Sequence, residues 1–315
     1  MYCLFHAEVI FKNICFNQVT FDRMKRKNEN ASRPHGVTAK PTYGGGKHQK
    51  PTYRRKPLLP GKAVSSTTEN VAPAGSQVDK GVQLNKYLSN AGIAARRKCE
   101  ELIKEGLVTV NNKVVKESGY RVQRNDSVKY KGEKVTYGKK VYILLNKPKF
   151  HITTTVDDRG RKTVMELISE ASSERLFPVG RLDRNTTGLL LFTNDGELAQ
   201  KLTHPSKKVK KVYEVTLNKK LELEDMEKIA KGVMLEDGLA LVDEIAYANE
   251  KEKSIIGVEL HIGKNRIVRR IFEHLGYSVI KLDRVLYAGL TKKNLPRGEW
   301  RELTEKEVIT LKHLG

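Results

Sequence analysis

Gly180-Arg181-Leu182-Asp183-Arg184-Asn185-Thr186-Thr187-Gly188-Leu189-Leu190-Leu191-Phe192-Thr193-Asn194-Asp195-Gly196 is the stretch on which the reading of this 315-residue chain turns. It sets one carboxylate, Asp183, in a turn closed by glycines, directly ahead of an apolar run and a polar cap. Leu and Phe bounded by Gly and Asn-Asp-Gly read as a buried strand. An acid held just before such a strand is presented at the end of a rigid element, where sites form. Alone, Gly-Arg-Leu-Asp reads as a surface acid in a loop beside an arginine; the full run sets it apart.

Working outward, composition points to a polyanionic partner. The chain carries 59 Lys+Arg against 37 Asp+Glu, a formal net charge of +22. Phosphate neutralisation with counterion release supplies most non-specific nucleic-acid affinity. A membrane surface would satisfy the charge equally well, yet no apolar run approaches the roughly 18 residues that a span needs. The opening residues 1–21 are fairly apolar, but His6, Glu8 and Lys12 interrupt them and no basic stretch precedes them, which argues against a secretory signal. Of three cysteines, Cys3 and Cys15 fall in that leader and Cys99 stands alone, so no disulfide framework is read and a reducing cytoplasm is expected. Met24 begins a more ordinary start, and residues 1–23 read as the product of an over-called start codon.

Residues 1–80 form the first of three segments. From Met24 on they are poor in apolar side chains and rich in Lys, Arg, Pro, Gly, Ser and Thr, with Lys40-Pro41-Thr42-Tyr43 repeated as Lys50-Pro51-Thr52-Tyr53. Such a tail cannot bury enough apolar surface to offset its ordering entropy, so disorder is expected. Its Tyr43 and Tyr53 among cations could stack on RNA; a solubilising tail is the plain alternative. Gly44-Gly45-Gly46-Lys47 is not a phosphate loop, because it lacks the Gly-Lys-Ser/Thr ending and no strand precedes it.

Residues 81–138 read as a small compact unit. Val82 to Leu88 predicts a short helix ending near Gly92, and Ala95 to Glu105 a second one stopping at Gly106. Cys99, Leu102 and Ile103 make an apolar stripe on it, while Arg96, Arg97 and Lys98 crowd its beginning. Cations there oppose the helix dipole, so an outside anion is the natural explanation for them; a solvated helix end is the plainer one. Asn111-Asn112 between two Val-rich runs predicts a hairpin.

Residues 139–315 mix strands (141–145, 189–193, 212–217, 254–262, 279–282) with helices (196–202, 223–231, 266–275, 305–312), without a regular βαβ rhythm. The last helix opens with a capping-box pattern, Thr304-Glu305-Lys306-Glu307. The fold class is therefore α+β on a largely antiparallel mixed sheet, with length enough for one ordinary core. At helical spacing Ile267, Ile271 and Leu275 share one stripe and Arg266, Arg269 and Arg270 another.

GRLDRNTTGLLLFTNDG over 180–196 resembles the signature of the pseudouridine synthases, specifically the RsuA-like family that modifies bacterial ribosomal RNA. The resemblance implies that Asp183 is the catalytic residue. Residues 84–115 are similar to the S4 RNA-binding domain, which implies that Lys86, Arg96, Arg97 and Lys98 line an RNA face. Ala95 stands where that domain usually has Ser, losing an N-cap of roughly 1 kcal/mol, and Asn112 replaces a turn Gly. Gly263 to Phe272 resembles the family's later motif, which implies an ion pair between Arg269 and Asp183. Tyr213, in Lys210-Lys211-Val212-Tyr213, matches the family's active-site tyrosine, although such a Tyr in isolation reads as core. Lys147-Pro148 looks like the family's first block, a landmark more than a catalytic element, and Phe150 stands where that block usually has Gly. Asn146, Thr186 and Thr187 are further site neighbours. Arg181, Lys210, Lys211, Arg266 and Arg270 complete the RNA-binding set. Lys281-Leu282-Asp283-Arg284 and Leu295 to Leu303 look most like members acting on large-subunit 23S rRNA, with 16S rRNA less favoured.

That chemistry breaks the C1′–N1 bond of uridine, turns the uracil and joins C5 to C1′. No cofactor is called for, and a monomer on free ribosomal RNA or an assembly intermediate is expected. No metal is expected, since the eight histidines do not cluster with Cys or carboxylates at ligand spacing. Asp157-Asp158 and Glu236-Asp237, beside Gly160 and Gly238, read as turns. No Gly-x-Ser-x-Gly nucleophile motif occurs. The rival reading is a non-catalytic ribosome assembly factor on the same scaffold; the loss of Asp183 or Arg269 would have favoured it.

Overall fold

The structure is a computed structural model that describes residues 81–249 and 251–314. The readings made for residues 1–80 lie outside the described residues.

β1 (Val82–Gln83) runs into α1 (Leu84–Asn90), and α2 (Arg96–Lys104) follows a turn at Gly92. Gly106, at φ 76°, stops α2 where no side chain would comfortably take that angle. β2 (Val108–Val110), β3 (Lys113–Val114), β4 (Arg121–Val122), β5 (Val128–Tyr130) and β6 (Glu133–Lys134) come next. Their sheet order is β3-β2-β5-β6, with β1 paired to β4. Asn111 and Asn112 take φ of 51° and 65°, the positive pair that a two-residue hairpin demands, and they join β2 to β3. Leu84 and Leu88 of α1 meet Cys99 and Ile103 of α2 over Val108, Val110 and Val128, so the predicted stripe is the inner face.

The second unit contains β7 (Tyr142–Lys147), β8 (Phe177–Pro178), β9 (Thr187–Thr193), α3 (Gly196–Thr203), β10 (Lys211–Leu217) and α4 (Leu223–Lys231). It continues through β11 (Val233–Leu235), β12 (Gly238–Ala240), β13 (Glu244–Tyr247), β14 (Ile255–Leu260) and α5 (Ile267–His274). β15 (Val279–Tyr287), β16 (Leu290–Thr291), β17 (Trp300–Glu302) and α6 (Glu305–His313) complete it. One mixed sheet runs β13-β14-β10-β15-β9-β7-β17, with β16 beside β15 and β8 beside β9. Every pairing in it is antiparallel except β9 with β15. The architecture is the α+β, largely antiparallel one expected.

Alternation along the central strands explains why β9 is apolar without interruption: both of its faces are covered. Leu190 and Phe192 face a core closed by Met226 and Ile229 of α4 and Val268, Ile271 and Phe272 of α5. Leu189 and Leu191 face the other core with Leu198 and Leu202 of α3 and Leu311 of α6. The Thr304–Glu307 capping box is present at the start of α6. Among the described residues no helix is long and apolar enough to cross a membrane.

The single parallel junction positions the site. Asp283 lies opposite Thr187 and Arg284 opposite Gly188. Gly188 has φ 105°, and a Cβ there would collide with the Arg284 backbone. Only glycine lets β9 close on β15 at this point, and Asp183 lies in the turn just before that strand.

Candidate active site

The turn before β9 is held by its main chain. Thr186 N–H donates to the Asp183 carbonyl at 3.1 Å, and Thr153 Oγ1 donates to the Leu182 carbonyl at 2.8 Å. Lys147, at the end of β7, is fully buried and aims its ammonium at the carbonyls of Pro148, Asp183, Arg184 and Thr186, at 3.0, 3.1, 3.3 and 2.9 Å. Burial pushes that ammonium down to about 8, while the Asp183 charge pulls it upward and Arg297 opposes. Three protons shared among four carbonyls compensate its desolvation and stitch two loops together. Reading Lys147-Pro148 as a landmark missed this role. The available signal was a lysine closing an apolar strand, a place where a cation must find buried acceptors.

With its backbone so occupied, Asp183 leaves its carboxylate free to face solvent, 36% exposed. It lies in a cleft of about 750 Å³ formed by loops around residues 152–161, 180–184 and 263–266. That volume suits a small ligand such as a nucleotide. Arg159, Arg161, Arg181, Arg184, Lys264 and Arg266 line it. Asp157 adds no second reactive acid. It accepts from the Arg159 and Arg161 amides and pairs with the Arg161 guanidinium, whose hydrogen bond chiefly holds its carboxyl at about 2. The Asp157-Asp158 turn is the one expected.

The arginines of the later motif require a correction. The expected Arg269–Asp183 ion pair is not made; Arg266 Nη1 lies 3.8 Å from Asp183 Oδ2 instead. Arg266 does not belong to the helix. It sits at φ 47° as the residue before α5, so the i, i+3, i+4 spacing does not put three arginines on one face. Arg269 is on the buried side, with Nη1 donating to the Val279 carbonyl at 2.9 Å and Nε unpartnered. Burial pushes its guanidinium down, Arg266 adds to this, and the charges of Asp183 and Glu273 oppose. Arg270 forks onto Asp237 at 2.7 and 3.0 Å, in the two-residue turn between β11 and β12.

Tyr213 is buried in the same cluster as Leu182, the residue preceding Asp183, and stands opposite Arg284 beside a bulge at which β15 carries the extra residue Val285. Lys211 does not project toward an RNA partner. It is half-buried, donates to the His261 carbonyl at 2.6 Å, and burial lowers it to about 8. Lys210 is exposed but pairs with Glu259 at 2.7 Å. Lys211 is the first residue of β10, whereas Lys210 lies just before the strand. Asn146 and Thr187 stand behind the turn: Asn146 bonds the Leu295 carbonyl and Arg297, and Thr187 bonds Asp283. Thr186 Oγ1 is buried without a partner.

On the small unit, Arg96, Arg97 and Lys98 are exposed together at the start of α2, which has no acid in its first turn and no side-chain cap. Lys98 bonds Glu101 at 2.8 Å and Arg96 bonds Gln83 at 3.2 Å. Lys86 reaches Glu197 of α3 at 3.4 Å.

Comparison with known proteins agrees with this layout. The sequence profile described as RNA pseudouridylate synthase matches residues 141–274, and that of the S4 domain matches residues 82–128. The chain is similar to ribosomal large subunit pseudouridine synthase B of Bacillus subtilis (strain 168). Identity is 44% over 236 residues, covering 74% of this chain and 96% of that protein. A protein of the same name from Vibrio cholerae serotype O1 is 38% identical over 239 residues, covering 74% of each chain. A crystal structure of a pseudouridylate synthase superposes with a TM-score of 0.53 at 25% identity, over 73% of this chain and 100% of that one.

Proposed function

This chain belongs to the RsuA-like family of RNA pseudouridine synthases, and we propose that it isomerises one uridine of ribosomal RNA, in the large subunit, with Asp183 as the catalytic carboxylate. The observation that carries the assignment of Asp183 is its setting. Its carbonyl is held by Lys147 and that of the preceding Leu182 by Thr153, while its carboxylate faces a cation-lined cleft beside Arg266. The names of the Bacillus and Vibrio relatives support the large subunit as the target.

The reaction conserves every atom, so the protein supplies position and charge. In one route Asp183 attacks C1′, the C1′–N1 pair leaves with uracil, the base turns, and C5 displaces the carboxylate before losing its proton. In the other, Asp183 removes the C2′ proton as uracil leaves with the C1′–N1 pair, giving a glycal. C5 of the turned base then bonds to C1′ as Asp183 returns the proton to C2′, and C5 loses its own proton. Both routes use Asp183 as a carboxylate anion, and the Arg266 guanidinium stands 3.8 Å from it. We assign Tyr213, in the cluster that holds Leu182, the role of stacking on the uracil. A uridine within folded RNA must be flipped out or already unpaired to reach the cleft. The S4 unit, through Arg96, Arg97 and Lys98, and the cleft through Arg181 and Arg266, hold phosphates and shape while the cleft selects one base. The enzyme acts as a cytoplasmic monomer on free rRNA or an assembly intermediate.

The test maps pseudouridine in 16S and 23S rRNA of cells lacking the gene, complemented with wild type or Asp183→Asn. One large-subunit uridine restored by wild type and not by the variant is the expected result. Full restoration by the variant would move the protein to a non-catalytic role in ribosome assembly.

A further inference from the structure

Phe150 occupies a position its backbone does not favour. Its φ is 69°, a left-handed conformation that glycine takes freely and L side chains rarely adopt. The phenyl ring contributes no core packing there, since the residue is 60% exposed. Its one ring contact of note is with Arg184, whose guanidinium carbon lies 5.9 Å from the ring centroid. The two residues are also joined through the backbone, Phe150 N–H donating to the Arg184 carbonyl at 2.8 Å. Arg184 follows Asp183 directly and lines the cleft, as does Ile152, two residues beyond Phe150. A flat apolar ring and a planar cation thus stand side by side at the rim of the site. Both are tied to the main-chain network that fixes the catalytic turn.

We propose that Phe150 and Arg184 form a stacking platform for an RNA base next to the uridine that enters the Asp183 cleft. This rests on the reading of the cleft as a pseudouridine synthase site and adds a binding subsite to it. The chemistry selects the occupant. Every base offers a π-face to the ring, the guanidinium adds cation–π attraction, and the surrounding Arg181, Arg159 and Arg266 supply the charge that a ribose-phosphate chain needs. Extruding one nucleotide leaves its neighbour unstacked, and the platform replaces the lost face.

The experiment compares full-length wild type with Phe150→Gly, Phe150→Trp and Arg184→Gln in two assays. One follows tritium released from C5 of uridine in unmodified ribosomal RNA transcripts; the other follows binding of fluorescein-labelled oligouridylate across a salt series. Phe150→Gly should raise KM by about tenfold more than it lowers kcat, and weaken oligouridylate binding by about tenfold at every salt concentration. Its salt slope should be unchanged because stacking releases no counterions. Phe150→Trp should stay close to wild type, and Arg184→Gln should lower the slope as well as the affinity. Thermal melting of Phe150→Gly should be no lower than wild type, since glycine suits φ 69°. A glycine variant whose KM and oligouridylate affinity both stay within about twofold of wild type would overturn the platform. Wild type that releases no tritium would sink the ribosomal substrate instead. The oligouridylate arm would still decide the platform.

Discussion

The Lys147 ammonium lies 3.1 Å from the main-chain oxygen of Asp183, the residue whose side chain faces the cleft. One buried cation therefore fixes the turn that carries Asp183 from behind, through carbonyls, and leaves its carboxylate facing the cleft beside Arg266. Positional control of this kind matters because small misplacements of a reacting group cost large factors in rate.

Lys147→Met should lose both stability and turnover. It leaves four carbonyls of the two loops without their shared donor, a loss of about 3 kcal/mol. Urea unfolding gives the first quantity and tritium release from uridine the second. Lys147→Arg should not rescue, because a forked guanidinium cannot take the place of a compact ammonium. Wild-type turnover in Lys147→Met would rule out a positioning role.

Asp183→Asn should reduce turnover on the order of a thousandfold or more while keeping the fold. Melting temperature and RNA affinity measured alongside separate chemistry from binding. Arg266→Gln should lower kcat/KM with stability changed by less than about 0.5 kcal/mol, because its contact with Asp183 is long and half-exposed. An Asp183→Asn enzyme as fast as wild type would remove this carboxylate from the mechanism.

Gly188→Ala should be among the most damaging small substitutions in the chain, at about 3 kcal/mol or more. Both its φ of 105° and the Arg284 backbone oppose a side chain. Chemical denaturation checks the value, and a loss below about 1 kcal/mol would mean that β9 and β15 separate easily.

Asp283 gives the structure an acid limit. Burial alone would raise its carboxyl, but Arg297 and Lys292, bonded to it directly, override burial and hold it at about 2. The folded value lies below the unfolded one of 3.8. The unfolded chain then binds the proton first, so the stabilisation is complete above about pH 4, declines as pH falls toward about 2, and amounts to about 2 kcal/mol. Denaturation midpoints through that window should fall more steeply for wild type than for Asp283→Asn. Parallel curves would place the acid sensitivity elsewhere.

Local chemistry by itself determined much of this protein. Gly106 after an apolar stripe, Asn111-Asn112 between Val runs, Thr304 three residues before Glu307 and the uninterrupted Leu run of β9 each specify an element within a few residues of chain. Caps, turns and periodicity are short-range, so the helices, the long apolar strands and the turn bearing Asp183 were legible in order. β1 instead reads as helix, and the short strands β8, β11 to β13, β16 and β17 are not read at all. Only tertiary structure decided which charges meet. Arg266 rather than Arg269 stands nearest Asp183 because the helix starts one residue later than its spacing suggests and turns Arg269 inward. Lys211 bends to a carbonyl fifty residues away, and Lys147 to carbonyls 36 to 39 residues away. A desolvated cation takes whatever acceptors the packed chain brings within reach, and that geometry belongs to the folded sheet, not to any local stretch of residues.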